Sequence, residues 1–193
     1  MHLTLHLTTA CNMRCSYCYA PPHDGRPMSA DVAHAALDLG ARLNSASCGV
    51  VFFGGEPLLF KDRIADTVDY ARHLEKTGDG RFHFKITTNG LLLDDEWLAY
   101  AVRNEILVAL SFDGVSAAHN QHRRLPDGRG TFDILLERLK NLLAVRPYSS
   151  ILMAVNPDTA RHLAESVEFL IELGVRYLIV SLNYAADWTE ADF

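Results

Sequence analysis

The sequence predicts an α/β fold of six strand–helix units around a mainly parallel sheet. Short apolar or alternating runs, the signature of strands, take turns with segments whose apolar residues recur at helical spacing. Such alternation requires crossover connections, which are right-handed and leave neighbouring strands parallel. Every turn-rich polar stretch also falls just after a strand, where parallel α/β folds gather their ligands.

Leu3, Leu5 and Leu7 alternate with Thr4, His6 and Thr8, which makes a first strand with one apolar face. Pro21, Pro22, Asp24, Gly25 and Pro27 then make a stretch too rich in turn formers for regular structure. Ser29 is placed to cap a helix whose inward face is Val32, Ala36, Leu39 and Leu43. Val50 to Phe53 is a short apolar run, a second and buried strand. A helix from Asp62 to Lys76 turns Ile64, Val68, Ala71 and Leu74 inward.

Phe82 to Thr88 reads as the third strand, stopped by Asn89-Gly90, and Asp94 caps a short helix through Trp97, Leu98 and Val102. Ile106 to Phe112 is the fourth strand. A polar loop from His119 to Gly130 leads to Thr131, an N-cap for a helix through Leu135, Leu139 and Leu142. Ser150 to Val155 is the fifth strand, closed by Asn156-Pro157-Asp158. Leu163, Val167, Leu170 and Ile171 line the next helix, which Gly174 stops. Tyr177 to Leu182 is the sixth strand, and Asp187 or Thr189 opens a further helix, cut off at Phe193.

Composition narrows the function classes. The chain has 193 residues, enough for a real core, with 49% apolar and 22% charged residues, as in ordinary globular proteins. A net charge of −6 without a basic run disfavours a nucleic-acid partner. No segment approaches the roughly 20 apolar residues of a membrane span. His2 to Thr9 lacks the basic and apolar regions of a signal peptide. Cysteines clustered as ligands belong in a reducing compartment, so the expected location is the cytoplasm.

The chemistry concentrates at Cys11, Cys15 and Cys18, spaced C-x3-C-x2-C. Thiolates are soft ligands that favour iron–sulfur clusters, zinc and copper(I). A structural zinc normally takes four protein ligands, so a zinc knuckle here would need His6 or His23 as the fourth. A 4Fe-4S cluster has four iron corners, and three cysteines leave one open. Downstream, Gly54-Gly55-Glu56-Pro57 combines glycines that permit close backbone approach with a carboxylate suited to a cation. Thr87, Thr88 and Asn89 either line the same cavity or make a plain turn. Cys48 reads as a small buried hydrophobe, and His34 and His73 as helix-surface residues.

Cys11-Asn12-Met13-Arg14-Cys15-Ser16-Tyr17-Cys18-Tyr19 resembles the cluster motif of the radical S-adenosylmethionine (radical SAM) superfamily. Gly54-Gly55-Glu56-Pro57 and Ser111-Phe112-Asp113-Gly114 follow in the family's order. His119-Asn120-Gln121-His122-Arg123, with Gly130-Thr131-Phe132-Asp133, is similar to the branch of anaerobic sulfatase maturases and SPASM-type peptide maturases. The resemblance covers essentially the whole chain. It implies one domain over residues 1–193, a (β/α)6 partial TIM-type barrel truncated after the sixth strand, with a carboxyl-terminal extension missing.

By the same resemblance Cys11, Cys15 and Cys18 hold a 4Fe-4S cluster whose open iron binds S-adenosylmethionine. The reduced cluster cleaves that cofactor to a 5′-deoxyadenosyl radical, which abstracts hydrogen. Gly54, Gly55 and Glu56 would receive the methionine ammonium and Arg123 its carboxylate. Ser111 and Asp113 would face ribose and carboxylate, Tyr17 the adenine, and Asn156 and Leu182 ribose and adenine. The implied partners are a peptide or protein substrate and a flavodoxin- or ferredoxin-type electron donor, with no nucleic acid and no membrane. On residues alone, Tyr17 also reads as packing over the loop, Asp113 as a turn residue, and Arg123 as part of a solvated basic loop with Arg124 and Arg129. The alternatives are a small-molecule radical SAM enzyme and a non-catalytic zinc-binding scaffold.

Overall fold

The computed structural model describes residues 1–20, 25–43, 46–78 and 80–192. Pro21, Pro22 and Asp24 of the expected turn stretch, the candidate ligand His23, and Phe193 lie outside the described residues. The strands are β1 (His2–Thr8), β2 (Cys48–Gly54), β3 (Phe82–Thr88), β4 (Leu107–Ser111), β5 (Ser150–Val155) and β6 (Tyr177–Leu182), and they follow chain order in the sheet. Between them run α1 (Ala30–Leu43), α2 (Lys61–Thr77), α3 (Asp95–Arg103), α4 (Ser116–His122), α5 (Phe132–Val145) and α6 (Leu163–Glu172). The predicted alternation is therefore present, and β3, β5 and β6 occupy the residues expected for them.

The chain divides into two compact units. The first comprises Met1–Cys11, Ala20–Thr88 and Ala99–Val108. In it β2 lies parallel to both β1 and β3. Leu5, Leu7, Val50, Phe52, Phe84 and Ile86 from the strands are buried with Ala33, Leu37, Ile64, Val68 and Ala71 from α1 and α2. The Phe52 and Phe84 rings stack 5.8 Å apart. Cys48 is fully buried, as its isolation in the sequence suggested.

The face of α1 differs from the expected one. Val32, Leu39 and Leu43 are 54%, 43% and 64% exposed, and Ala36 is half-buried. Ala33, Leu37 and Gly40, one position along, turn inward instead. The reason is the closeness of the helix to the strands: a Cβ on Gly40 would stand 2.8 Å from the Cys48 Sγ and 3.1 Å from Leu3 Cδ1. At Gly40 no side chain fits, which fixes the face that turns inward. Ser29 does cap the helix, its Oγ accepting the Val32 N–H at 3.3 Å. In α2 the expected face holds at Ile64, Val68 and Ala71, while Leu74 is only half-buried.

The second unit comprises Asn12–Tyr19, Asn89–Leu98 and Ala109–Phe193. Here β5 lies parallel to β4 and β6, and Leu110, Phe112, Ile151, Met153 and Val155 are buried with Leu135, Leu139, Leu142 and Leu170. Asp94 accepts the Trp97 N–H at 2.8 Å, as a cap should, but Val102 at the far end of α3 is exposed.

The expected polar loop from His119 to Gly130 begins as helix. Ser116-Ala117-Ala118 start α4, and the Arg123 N–H closes its last turn on the His119 carbonyl at 2.9 Å. The remainder is a small hairpin in which Arg124 and Gly130 form an antiparallel bridge. Thr131 occupies the N-cap position of α5 without capping it: its hydroxyl donates to the Arg123 carbonyl at 2.9 Å. The Phe132 N–H goes to Asn120 Oδ1 instead, at 3.0 Å.

In α6, Leu170 is buried as expected but Ile171 is exposed, and Ser166 takes its inward place. Ser166 sits against Gly114, where φ is +91° and a Cβ would run into it, and its Oγ accepts the Val115 N–H at 3.1 Å. Gly174 ends the helix at φ +93°, as predicted. The further helix expected from Asp187 or Thr189 is, within the described residues, a 3₁₀ turn over Glu190–Asp192.

Candidate functional site

In the first unit the site candidates gather around the loop after β2. Gly54 has φ +132°, and a Cβ there would collide with the Thr8 carbonyl; one on Gly55 would collide with that of Ala10. The Gly55 N–H donates to Thr8 O at 2.9 Å and the Glu56 N–H to Ala10 O at 2.8 Å. The glycines are thus required to lay this loop along residues 8–10, which lead directly into Cys11. Glu56 is fully buried, and its Oε1 accepts the Leu58 N–H at 2.9 Å and the Thr88 hydroxyl at 2.8 Å. Those bonds hold the carboxylate and cap the 3₁₀ turn Pro57–Phe60. Thr88 therefore belongs to the setting of Glu56 rather than to a plain turn. His6, the other zinc-ligand candidate, packs edge-on against Phe53 with ring centres 5.2 Å apart.

In the second unit the cysteine loop is tied down along its length. Met13 is buried, and Asn12 Oδ1 accepts Asn89 Nδ2 at 2.7 Å. The Cys18 N–H turns back onto the Cys15 carbonyl at 3.1 Å. Tyr17 reaches inward. Its hydroxyl donates to Asp113 Oδ2 at 2.6 Å and accepts Arg123 Nη1 at 2.8 Å. The other Asp113 oxygen accepts the Ala154 N–H at 3.0 Å. So Tyr17 is more than packing, and Asp113 is a buried acceptor rather than a turn residue. Arg123 is buried while Arg124 and Arg129 are exposed, which separates it from the basic loop.

The electrostatics follow from this burial. Desolvation pushes the Asp113 carboxyl above the usual carboxylate range, and the Arg123 charge pulls against it. Burial likewise raises the Tyr17 hydroxyl, again opposed by Arg123. Burial alone would lower the Arg123 pKa, but Tyr17, Asp113 and Cys15 outweigh it and keep the guanidinium charged.

Behind Arg123 lies His119, whose Nδ1 accepts the Asp113 N–H at 3.2 Å and whose Nε2 meets Thr131 Oγ1 at 3.1 Å. Because the Thr131 proton goes to the Arg123 carbonyl, Nε2 carries the imidazole hydrogen. Desolvation, with the Arg123 charge second, pushes His119 down to about 2, so it stays neutral. The Phe112 ring closes over it at 4.5 Å. Sequence reasoning left His119 and Thr131 without these roles. The signal was the i, i+4 spacing of His119 and Arg123, which puts both on one face once α4 is seen to be a helix.

Ser111 ends β4 opposite Leu152 and is half-buried. Asn156 is buried just beyond β5, and its Oδ1 accepts Asn183 Nδ2 at 2.8 Å. Val155 pairs with Leu182, so Asn156 and Leu182 come to adjoining strand ends. Two buried donors of this unit, Arg123 Nε and Asn156 Nδ2, have no hydrogen-bond partner among the described residues. An unpaired buried donor costs about 1–3 kcal/mol, which a ligand acceptor would recover. The carboxylate and ribose oxygens of S-adenosylmethionine are acceptors of the right kind.

Cys11 and Cys15 are half-buried and Cys18 is exposed, all as thiols. Among the described residues no three His, Cys, Asp or Glu side chains stand together as a ready metal grip. What fits an iron–sulfur cluster is the donor set itself, three soft thiols within eight residues of one loop.

Comparison with known proteins matches the description "Radical SAM superfamily" to residues 5–182. The cysteine-type anaerobic sulfatase-maturating enzyme of Clostridium novyi (strain NT) is 26% identical over 176 residues, covering 87% of this chain and 47% of that protein. The serine-type anaerobic sulfatase-maturating enzyme of Klebsiella aerogenes is 30% identical over 184 residues, covering 88% and 43%. The solved structure of native anSMEcpe with bound AdoMet and Cp18Cys peptide is similar at TM-score 0.85 and 25% identity, over 94% of this chain and 50% of that one. The chain spans about half the length of these curated relatives.

Proposed function

The chain belongs to the radical SAM superfamily and carries the six-stranded parallel sheet of its core, and on that premise we propose an enzyme that cleaves S-adenosylmethionine reductively and abstracts hydrogen from a peptide or protein. The observation that carries this reading is a three-cysteine loop tied through Tyr17 to a buried Arg123 whose Nε has no partner among the described residues.

Cys11, Cys15 and Cys18 would hold a 4Fe-4S cluster, leaving its fourth iron open. A cluster held there would supply the one electron needed to cleave S-adenosylmethionine reductively to methionine and a 5′-deoxyadenosyl radical. Arg123, charged and buried, is suited to the methionine carboxylate, and Glu56, held by Leu58 and Thr88, to its ammonium. The Gly54-Gly55 backbone supports the same end of the cofactor. Asn156 offers Nδ2 to the ribose, with Ser111 and Asp113 beside it in the proposal, while Tyr17 and Leu182 border the adenine. Excluding water around such a radical prevents side reactions, and the buried setting of Arg123 and Asn156 serves that purpose.

A peptide or protein substrate is supported by the names of the relatives, which are sulfatase-maturating enzymes, and by the peptide bound to anSMEcpe. A flavodoxin- or ferredoxin-type protein would supply the electron, in the cytoplasm. Among the described residues no helix is long and apolar enough to cross a membrane.

The test is anaerobic reconstitution with iron and sulfide, then dithionite and S-adenosylmethionine, assaying 5′-deoxyadenosine against a Cys15→Ala control. Product that disappears in the control is the expected result. A chain that binds one zinc and no iron would support the scaffold instead. Faster product formation with a Cys- or Ser-containing peptide, together with a change in that peptide's mass, is the outcome expected for a peptide substrate.

A further inference from the structure

Ser16 lies between Cys15 and Cys18, and one residue grips it twice. Its N–H donates to the His122 carbonyl at 3.2 Å, and its Oγ stands 2.5 Å from His122 Nδ1. A second rung joins the Arg14 N–H to the Arg124 carbonyl at 2.8 Å, so residues 14–16 run antiparallel to residues 122–124. The far side of the imidazole is also fixed: Nε2 lies 2.8 Å from Asp158 Oδ1, and Gln121 Nε2 donates to Asp158 Oδ2 at 3.2 Å. The Tyr17 ring packs on the His122 ring at 5.6 Å. The His122 side chain is only 13% exposed.

The chemistry fixes each role. Burial works to raise the Asp158 carboxyl, but the bonds from His122 and Gln121 hold it below the usual range, so it is an anion that only accepts. Facing that acceptor, His122 Nε2 carries a hydrogen, and Nδ1 on the other side of the ring meets the Ser16 hydroxyl. Asp158 is itself anchored just past β5, in the 3₁₀ turn Pro157–His162, where the Asn156 N–H donates to Thr159 Oγ1 at 3.0 Å. A continuous chain of bonds thus runs from the end of a strand to the middle of the cysteine loop. The same three residue types make hydrolytic nucleophiles, but here the Ser16 amide that would serve an oxyanion is committed to His122.

We propose that His122, aligned by Asp158, is a positioning residue that presets the turn carrying Cys15 and Cys18 for cluster uptake. The proposal rests on the reading of those cysteines as cluster ligands. Ordering a free backbone costs conformational entropy, and a loop already ordered at Ser16 avoids that cost when the cluster binds.

Three variants test it: His122→Ala, Asp158→Ala and Ser16→Ala, the last at an exposed position where folding should survive. In the cluster-free protein, iodoacetamide labelling of each cysteine and hydrogen exchange at the Ser16 amide are followed by mass spectrometry. In the reconstituted protein, iron retention is followed against a chelator. The expected result is labelling of half-buried Cys15 and exchange at the residue-16 amide about tenfold faster, the effect of one lost hydrogen bond on local opening. Iron should leave faster, while buried Cys48 keeps its wild-type reactivity. His122→Asn, which preserves an acceptor toward Ser16, should recover much of the effect. Unchanged rates in all three variants would overturn the proposal, as would acceleration that includes Cys48, which signals general unfolding. A wild-type chain that takes up no iron would overturn the cluster reading instead, and with it this role, whatever the exchange rates show.

Discussion

Tyr17 lies between Cys15 and Cys18 in the chain, and its hydroxyl bridges Asp113 and Arg123. Its sequence context left two readings open because its partners lie 96 and 106 positions away. Tyr17→Phe keeps the ring and removes the bridge, leaving two buried groups each short of a partner. The expected loss is about 1–3 kcal/mol in urea denaturation of the cluster-free protein. His119 sets a pH dependence. Its folded pKa of about 2 lies below the ordinary 6.5, so between those values the unfolded chain binds a proton that the folded chain does not. That contribution is complete above pH 6.5 and is lost as pH falls below it. Asp113, raised by burial, has the opposite sign and offsets part of the slope in the acid range. Melting temperatures should fall from about pH 7 to about pH 5, and less steeply in His119→Gln.

At the scale of elements, periodicity told most where burial is one-sided and local. Strands β3, β5 and β6 follow directly from alternating or apolar runs, as does the inward face of α5. The α1 face was illegible because Val32, Leu39 and Leu43 point outward, while Ala33 and Gly40 turn inward beside Leu37. Paired substitutions measure that correction. Leu37→Ala should cost about 2–5 kcal/mol in denaturant unfolding, whereas Leu39→Ala should stay within about 0.5 kcal/mol. Equal losses would restore the face expected from sequence. Helix α4 went unseen because seven residues, mostly polar, give no stripe to detect. The loop after β2 was legible as a motif, but the collisions that demand both glycines were not. Gly55→Ala should push that loop off the Ala10 carbonyl and lower both the melting temperature and the iron retained after reconstitution.

For the molecule as a whole, the order of the motifs along the chain was the most legible feature, because each sits at the carboxyl end of a strand and the strand order equals the chain order. What single residues do there depends on contacts that no local pattern encodes, the Asp158–His122–Ser16 connection above all. The substrate rests on proteins about twice as long, so it is tested separately from the cofactor chemistry. The most direct test of that chemistry is electron paramagnetic resonance of the reconstituted, dithionite-reduced protein with and without S-adenosylmethionine. The account predicts the signal of a reduced 4Fe-4S cluster, a change in its shape when S-adenosylmethionine is added, and a need for more of that cofactor in Arg123→Ala. A spectrum indifferent to S-adenosylmethionine, or a protein that holds zinc and no iron, would contradict it.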